Sequence, residues 1–509
     1  MAQAFKPPST QRIYDVCIVG SQLGGAVAGA LLARRGYRVL HVDHDGTGGS
    51  YEDGSYLLPW APAIFPSFRH VPAAEAALGE LGFTADLGRA LEPSTPPLQL
   101  LLPRNRLDLL PDPARRTAEL RREFRGDADR LEAALAQTVR QFDGATPFLK
   151  ALPPFPPDGF GERRALKKAI ELAATAPGGG VDLDADPIAA AGDHPVLRAL
   201  RFAQRTLGHL DGPPPPLATA RLLGGALRGT FRLASGYEGL RDVLRRRIAE
   251  ARGELLGADG SPAVAEGFDV DGSRIDAVRL QGSSNAYVAR AFILATDAPS
   301  ARRLLPEALW RKVPELEKIR ATRQLLAVNL VVKAAALPPA LGDSVVAFAR
   351  EDGGDGLEDA ILLQVLPARR DTKKGTAGEL VPDERVVCAA GFVSADARGE
   401  AVLAGHARQV RDVLADLIPF FERHLVRESV PVLAGPADRR GSRLASHPLY
   451  EVGLDQALGV TGLAPRALKN LVFAGREVVP GLGVEGEFHA GVQAAAAAQA
   501  LLGRRDLLR

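Results

Sequence analysis

Cysteine is nearly absent: Cys17 and Cys388 are the only two in 509 residues. Each sits in an apolar, strand-like run. Two buried thiols are therefore expected rather than a disulfide framework or a cysteine metal site, and a reducing compartment is implied. An excess of one charge is also lacking. A formal net charge of +2 argues for neither nucleic acid nor an acidic partner. The basic cluster Arg245–Arg247 lies beside acidic residues and reads as a solvated helix face. No apolar run is long and uninterrupted enough to span a bilayer. The opening MAQAFKPPSTQR lacks the apolar core of a signal peptide. A cytoplasmic protein is expected, with peripheral contact at a membrane surface left open. The scattered histidines, His194 and His209 among them, show no zinc spacing, and no Ser-His-Asp set stands out.

What the chain does have is a nucleotide-binding turn with one residue changed. Residues 15–45 read DVCIVGSQLGGAVAGALLARRGYRVLHVDHD. An apolar run, Val16–Val19, meets a glycine-rich turn, then an Ala/Leu-rich helix starting near Leu23, then a second apolar run, Val39–Val42, ending in Asp43. That is the βαβ dinucleotide fingerprint. Gly20 permits the tight turn, and the helix start aims amides and a positive dipole end at a phosphate. Asp43 can accept hydrogen bonds from a ribose. The three-glycine pattern would have glycine at 20, 22 and 25, but position 22 is glutamine. The pyrophosphate contacts are expected from Gly20, Ser21, Gln22, Leu23, Gly24 and Gly25, with Asp43, His44 and Gly49 at the ribose end. Gln22 either offers its amide to the phosphate or fills the space where the cofactor would lie. Ala26, Ala30 and Ala33 are small on one side of the helix, suited to close packing on a sheet, and Gly36 stops it.

A second glycine-rich turn lies near the other end, in NLVFAGREVVPGLGVEGEFHAGVQ, residues 470–493. A strand at Leu471–Phe473 runs into Ala474–Gly475. A loop carrying Pro480, Gly481, Gly483 and Gly486 follows, then an Ala-rich helix over Gly491–Leu502. Two such turns suit one long cofactor with phosphates at one end and an electron-poor ring at the other. Between them, Ala263–Leu280 alternates around Asp271–Gly272 as a hairpin does, and Tyr287–Leu294 reads as a strand. Residues 325–393 hold several strand-like runs and suggest a mostly β second domain. Ala114–Phe142 and residues 162–210 read as helical, the latter with a break at Gly178–Gly180, and Gly405–Leu425 as an amphipathic helix.

These segments together resemble the FAD-dependent phytoene desaturase and amine oxidase superfamily. NLVFAGREVVPGLGVEG is similar to its closing motif beside the flavin, GYEGLRDVLRRRI to its turn before a central helix, and AVAEGFDVDGSRIDAVRL to its adenine-side hairpin. The order matches over nearly the whole chain and is weakest over residues 61–230 and 320–440. The resemblance implies an α/β fold: a discontinuous Rossmann-like FAD-binding domain with a parallel sheet (residues 12–60, 231–320 and 441–509) and a mixed α+β substrate domain (61–230 and 321–440). It places Val264 at the adenine, and Gly475, Arg476, Gly483, Val484 and Glu485 on the flavin side. It implies an oxidoreductase acting on an apolar small molecule, such as desaturation, isomerisation or saturation of an isoprenoid or carotenoid-like chain. Trp60, Phe65, Phe68 and the strand LLAVNLVV are the apolar pocket candidates. His489 is the one candidate proton carrier.

The departures from the family pattern are specific. Gly48–Gly49 is followed by Ser50 where the family has arginine, and Leu58-Pro59-Trp60 replaces an Asp-x-Gly element. Glu485 and Glu487 add negative charge that suits a flavin loop only if they point to solvent. The VLHVD segment followed by a Gly-Gly loop also looks like the Rab GDP-dissociation inhibitor branch, so a flavin-free lipid- or prenyl-binding protein on the same scaffold is the alternative. NAD(P) at the first turn would leave the second glycine turn without a role.

Overall fold

The computed structural model describes residues 12–44, 50–153, 157, 159–175, 182, 185–233, 236–257, 263–310, 313, 320–348, 360–371, 378–397, 399–431, 447–451 and 464–503. Within them the chain builds two large sheets. The first has seven strands. Its centre is β1, Ile13–Val19, flanked in parallel by β2, Val39–Val42, and by Ala286–Leu294. Glu254–Leu256 extends the sheet beyond β2, and Leu471–Phe473 runs parallel to the end of Ala286–Leu294. The hairpin Ala265–Asp271 and Arg274–Leu280 adds the antiparallel edge. Strands distant in sequence thus meet at one carboxyl edge, where open α/β sheets place their ligands.

The connection from β1 to β2 is α1, Leu23–Arg34. Every residue from Leu23 to Ala33 is buried, as befits a helix that is apolar all round. It packs on the sheet and between the helices Gly236–Glu250 and Gly483–Leu502. The small residues make this approach close: a Cβ added to Gly29 would lie 2.6 Å from Ile18 Cδ1 and 2.8 Å from Ile248 Cδ1.

The second sheet has ten strands and is mostly antiparallel. Its long members are Arg320–Lys333, Ala360–Arg370 and Glu379–Ser394. Tyr51–Asp53 and Tyr56–Leu58 form a hairpin that joins this sheet at Arg370. Helices Ala128–Lys150, Pro195–Leu207 and Pro216–Arg228 contribute to the same core as its inner face, with Phe202 edge-on to Phe348 and Phe392. Among the described residues no helix is long and apolar enough to cross a membrane. Both cysteines are buried and free.

Three elements differ from expectation. The helical stretch Ala114–Phe142 is two helices, Pro113–Glu123 and Ala128–Lys150. The amphipathic helix spans Glu400–Leu417, and Leu425 instead begins a strand. The last helix begins at Gly483, eight residues before the expected start. The glycines that read as loop are inside its first turn because backbone from elsewhere crosses over them. A Cβ on Gly483 would sit 1.9 Å from Leu207 O, and one on Gly486 2.1 Å from Val479 O. The break at Gly178–Gly180 lies outside the described residues.

Candidate functional site

The turn between β1 and α1 is built as the fingerprint requires. Gly20 has φ +121°, and a Cβ there would lie 2.1 Å from Ala295 O. Its amide donates to Val42 O at 3.0 Å, tying the turn to the end of β2. A Cβ on Gly25 would meet Ala295 Cβ at 2.3 Å, and one on Gly24 would meet Ala474 O at 2.2 Å. The glycines therefore admit the chain's own backbone at the closest points. Gln22 is buried, its amide donating to Ala295 O at 3.0 Å. Its side chain does not cap α1; Oε1 accepts the Arg476 amide at 2.8 Å. The residue that breaks the glycine pattern thus bridges the two glycine-rich segments.

The helix start does have an anionic partner. Leu23 N donates to Glu487 Oε2 at 3.2 Å. Glu487 is 1% exposed; its Oε1 lies 3.3 Å from Arg476 Nε and 3.7 Å from His209 Nε2. Burial opposes its charge, but Arg476 first, then His209 and Arg241, outweigh that and hold its carboxyl below the usual range. Glu485 and Glu487 do not meet the condition on which they would suit a flavin loop, since neither points to solvent: both are buried. Glu485 faces Arg221 across a two-pronged ion pair of 2.8 and 2.9 Å. It is therefore committed to a helix of the other core rather than free to face a flavin ring.

Asp43 stands at the end of β2 as expected, with its side chain buried. Ser21 Oγ donates to Oδ1, and Arg245 Nη1 lies 3.0 Å from Oδ2. Arg245 is 7% exposed, which corrects its reading as part of a solvated face. The helix carrying it turns Arg241 and Arg245, one turn apart, toward the nucleotide turn, and Arg241 Nη1 donates to Ser21 O. Nε and Nη2 of Arg245 are buried without a hydrogen-bond partner, a state that costs about 1–3 kcal/mol per group. His41, in the middle of β2, is fully buried with both ring nitrogens unpartnered. Burial first, then Arg245, pushes it down to about 3, so its ring is neutral. His44 Nδ1 accepts the Ala265 amide at 2.9 Å, and the neighbouring Val264 gives its carbonyl to Gln281 N at 2.8 Å. Gly49 lies outside the described residues.

On the flavin side, the space over Gly475 is taken by Glu477, whose carboxylate oxygens lie 2.5 Å from where a Cβ would be. Glu477 is 1% exposed and one of its oxygens has no hydrogen-bond partner. Burial first, then Asp297, pushes it up to about 8. Val484 is buried at a small cavity beside Arg221 and Glu485. His489 is a structural tie: its Nε2 donates to Pro153 O at 2.7 Å, and burial pushes it down to about 4. It is neutral and away from solvent, unlike a proton carrier. Trp60 stacks against Tyr51 with ring centroids 4.6 Å apart, and Phe65 is core. Phe68 lines a cavity of about 490 Å³ with Leu78, Leu87, Leu91 and Phe231. The strand Leu325–Val332 is buried in the second sheet. No cluster of three metal-ligating side chains occurs among the described residues.

The sequence reading missed Arg221, Arg241, Arg245, His209 and Glu477. The spacing of Arg241 and Arg245 on one helix face was the available signal. The others depend on partners brought in from distant segments.

The family profile of the NAD(P)-binding Rossmann-like domain matches residues 18–81. No curated protein matches the chain. Among solved structures, cyclohexylamine oxidase from Brevibacterium oxydans IH-35A is similar with a TM-score of 0.57 at 17% identity, over 97% of this chain and 100% of that one. Putrescine oxidase bound to putrescine gives 0.53 at 15%, over 96% and 100%. An oxidoreductase from Methanosarcina mazei gives 0.53 at 11%, over 94% and 99%. At these identities the likeness speaks for the fold. The chain shares its fold with these oxidoreductases, with a Rossmann-like domain matched over residues 18–81.

The polar groups suit a phosphate-bearing dinucleotide: a glycine turn, a helix start whose first residue donates to an anion, a strand-end carboxylate that accepts, and a buried guanidinium with two unpartnered nitrogens. The chain's own groups hold two of these: Glu487 takes the Leu23 amide, and Ser21 and Arg245 take Asp43.

Proposed function

We propose that this chain is an FAD-dependent oxidoreductase acting on an apolar substrate, with desaturation, isomerisation or saturation of an isoprenoid-like chain as the finer reading. The observation that carries it is the buried Arg245 beside Asp43 at the end of β2, with Nε and Nη2 unpartnered in a fold shared with amine oxidases. A buried cation with unmade hydrogen bonds favours an anionic ligand. Gly20–Gly25 would face the pyrophosphate, Asp43 the ribose, and Arg241 and Arg245 would supply positive charge. Bound flavin supplies the hydride acceptor; the chain's residues bind and orient it and keep water out. That division of labour fits a site in which Ser21 and Asp43 are hydrogen-bonded to each other and no cluster of three metal-ligating side chains occurs among the described residues. The apolar substrate would lie against Phe68, Leu78, Leu87, Leu91 and Phe231 in a cavity whose lining also carries Arg69 and Glu75.

The test is flavin content. Purified protein is denatured and the released flavin quantified, and apoprotein is titrated with FAD and with NADH. Stoichiometric flavin, or FAD uptake with none of NADH, supports the reading. Folded protein that carries and takes up no flavin refutes it and favours the second reading, a flavin-free lipid- or prenyl-binding protein. That reading draws on Glu487 filling the helix start. It predicts retention of a fluorescent prenyl or acyl probe by delipidated protein.

A further inference from the structure

The start of α1 is a place where two chemistries meet. The first amides of a helix lack intrahelical acceptors, and the dipole favours an anion there. In this chain Gln22 turns its side chain away to Arg476, so capping falls to Glu487. The carboxylate arrives from the fifth residue of the C-terminal helix and is held by Arg476 and His209 at its other oxygen. The arrangement is closed at its far side as well. Ser21, within the same turn, holds Asp43, and Arg245 holds its second oxygen. Arg245 faces Asp43 and Asp242 through Nη1 but still has two buried nitrogens with no hydrogen-bond partner. This end thus offers unmade hydrogen bonds, while the helix start is supplied with an anion internally.

We propose that Glu487 is an internal occupant of the anion site at the start of α1, so that the pyrophosphate of a dinucleotide and the Glu487 carboxylate compete for the Leu23 amide. The proposal rests on the FAD reading above and adds its regulation. The folded chain covers its own cofactor site, and cofactor enters only as Glu487 leaves Leu23 N. A phosphate brought to that amide with Glu487 in place would set like charges against each other in a desolvated site. Removing the charge while keeping the shape should therefore favour the phosphate. The flavin ring itself, lacking phosphate, should be indifferent to the change.

The experiment is calorimetric titration of wild type and Glu487→Gln with FAD, with ADP-ribose and with riboflavin, each protein first checked by circular dichroism and thermal melting. The expected result is a gain in affinity on the order of tenfold or more for FAD and ADP-ribose, with riboflavin unchanged. Equal FAD affinity in both proteins overturns the competition and leaves the FAD reading standing. Absence of FAD binding in both, with both folded, overturns the two together. A gain for riboflavin equal to that for FAD also overturns the competition, because it would report loosened packing. If Glu487→Gln misfolds through the unpaired Arg476, the double variant Glu487→Gln/Arg476→Met removes both charges and is put through the same titrations.

Discussion

Replacing Arg221 with methionine removes every hydrogen bond its guanidinium makes. Nε and Nη2 hold Glu485, Nη1 holds Phe142 O at 3.0 Å and Thr146 Oγ1 at 2.9 Å, and Nη2 also reaches His70 O at 2.7 Å. The guanidinium lies 4.0 Å from the centroid of the Phe142 ring. Its side chain has no exposure and that of Glu485 has 6%. One residue thus joins the helix Pro216–Arg228, the helix Ala128–Lys150, the segment at His70 and the C-terminal helix. Breaking a buried ion pair by removing one partner costs about 3–5 kcal/mol, because the other charge is left without compensation. Much of that is the penalty on Glu485. The double variant Arg221→Met/Glu485→Leu should therefore recover most of the loss, since an apolar pair of similar volume often matches a buried ion pair. Arg221→Lys should fall between, with charge kept and the planar fork lost. Urea denaturation followed by circular dichroism reads wild type, these three variants and the single variant Glu485→Leu. The reasoning is refuted if Arg221→Met stays within about 1 kcal/mol of wild type, or if the two single losses add in the double variant.

Gly20→Ala forces a side chain onto a φ of +121° and against Ala295 O. Strain and overpacking together should cost about 2–6 kcal/mol, read as a large drop in melting temperature or in soluble yield. Glu477 is raised from 4.5 to about 8 in the folded chain, so the folded state keeps its proton across that window while the unfolded state has lost it. Stability should fall as pH rises through the window and level off above about 8. Glu477→Gln should flatten that slope in melting curves and gain most over wild type at the alkaline end. His489→Leu removes the donor to Pro153 O and should cost about 1–3 kcal/mol. In melting curves, wild-type stability should gain from His489 as pH rises from about 4 to 6.5, because the folded ring stays neutral where the unfolded one still takes a proton. His489→Leu should lose that slope and run parallel to wild type above neutrality.

The parts legible in the sequence were those whose signal is local. β2 matches its expected span, and β1 and α1 their cores, because apolar runs, small residues and glycine punctuation sit within a few residues of one another. The hairpin around Asp271–Gly272 and the strand Leu471–Phe473 were read for the same reason. The site was harder because its decisive groups are charges, and charges read as solvent-facing until a distant segment covers them. Arg245 beside Asp43 and Glu487 beside Leu23 could not be paired from spacing alone. The glycines at 483 and 486 misled in the opposite sense. Glycine-rich sequence reads as loop, yet here the missing Cβ atoms let a helix begin beneath the carbonyls of Leu207 and Val479.

The crossing of α1 with the C-terminal helix has a consequence for how the chain is made. A Cβ on Gly491 would lie 2.6 Å from Gly24 O, and Phe488, Ala494, Ala495 and Ala498 share one core with Val16, Ile18 and Val27. Helix α1 leaves the ribosome apolar all round, and the helix that covers one of its sides, Gly483–Leu502, follows only after the rest of both sheets has been made. That first helix therefore waits, while residues 35–482 are made, with an uncovered apolar face. A ribosome paused before Gly483 should display a chain whose second sheet can assemble while the first turn is still open to chaperones and proteases.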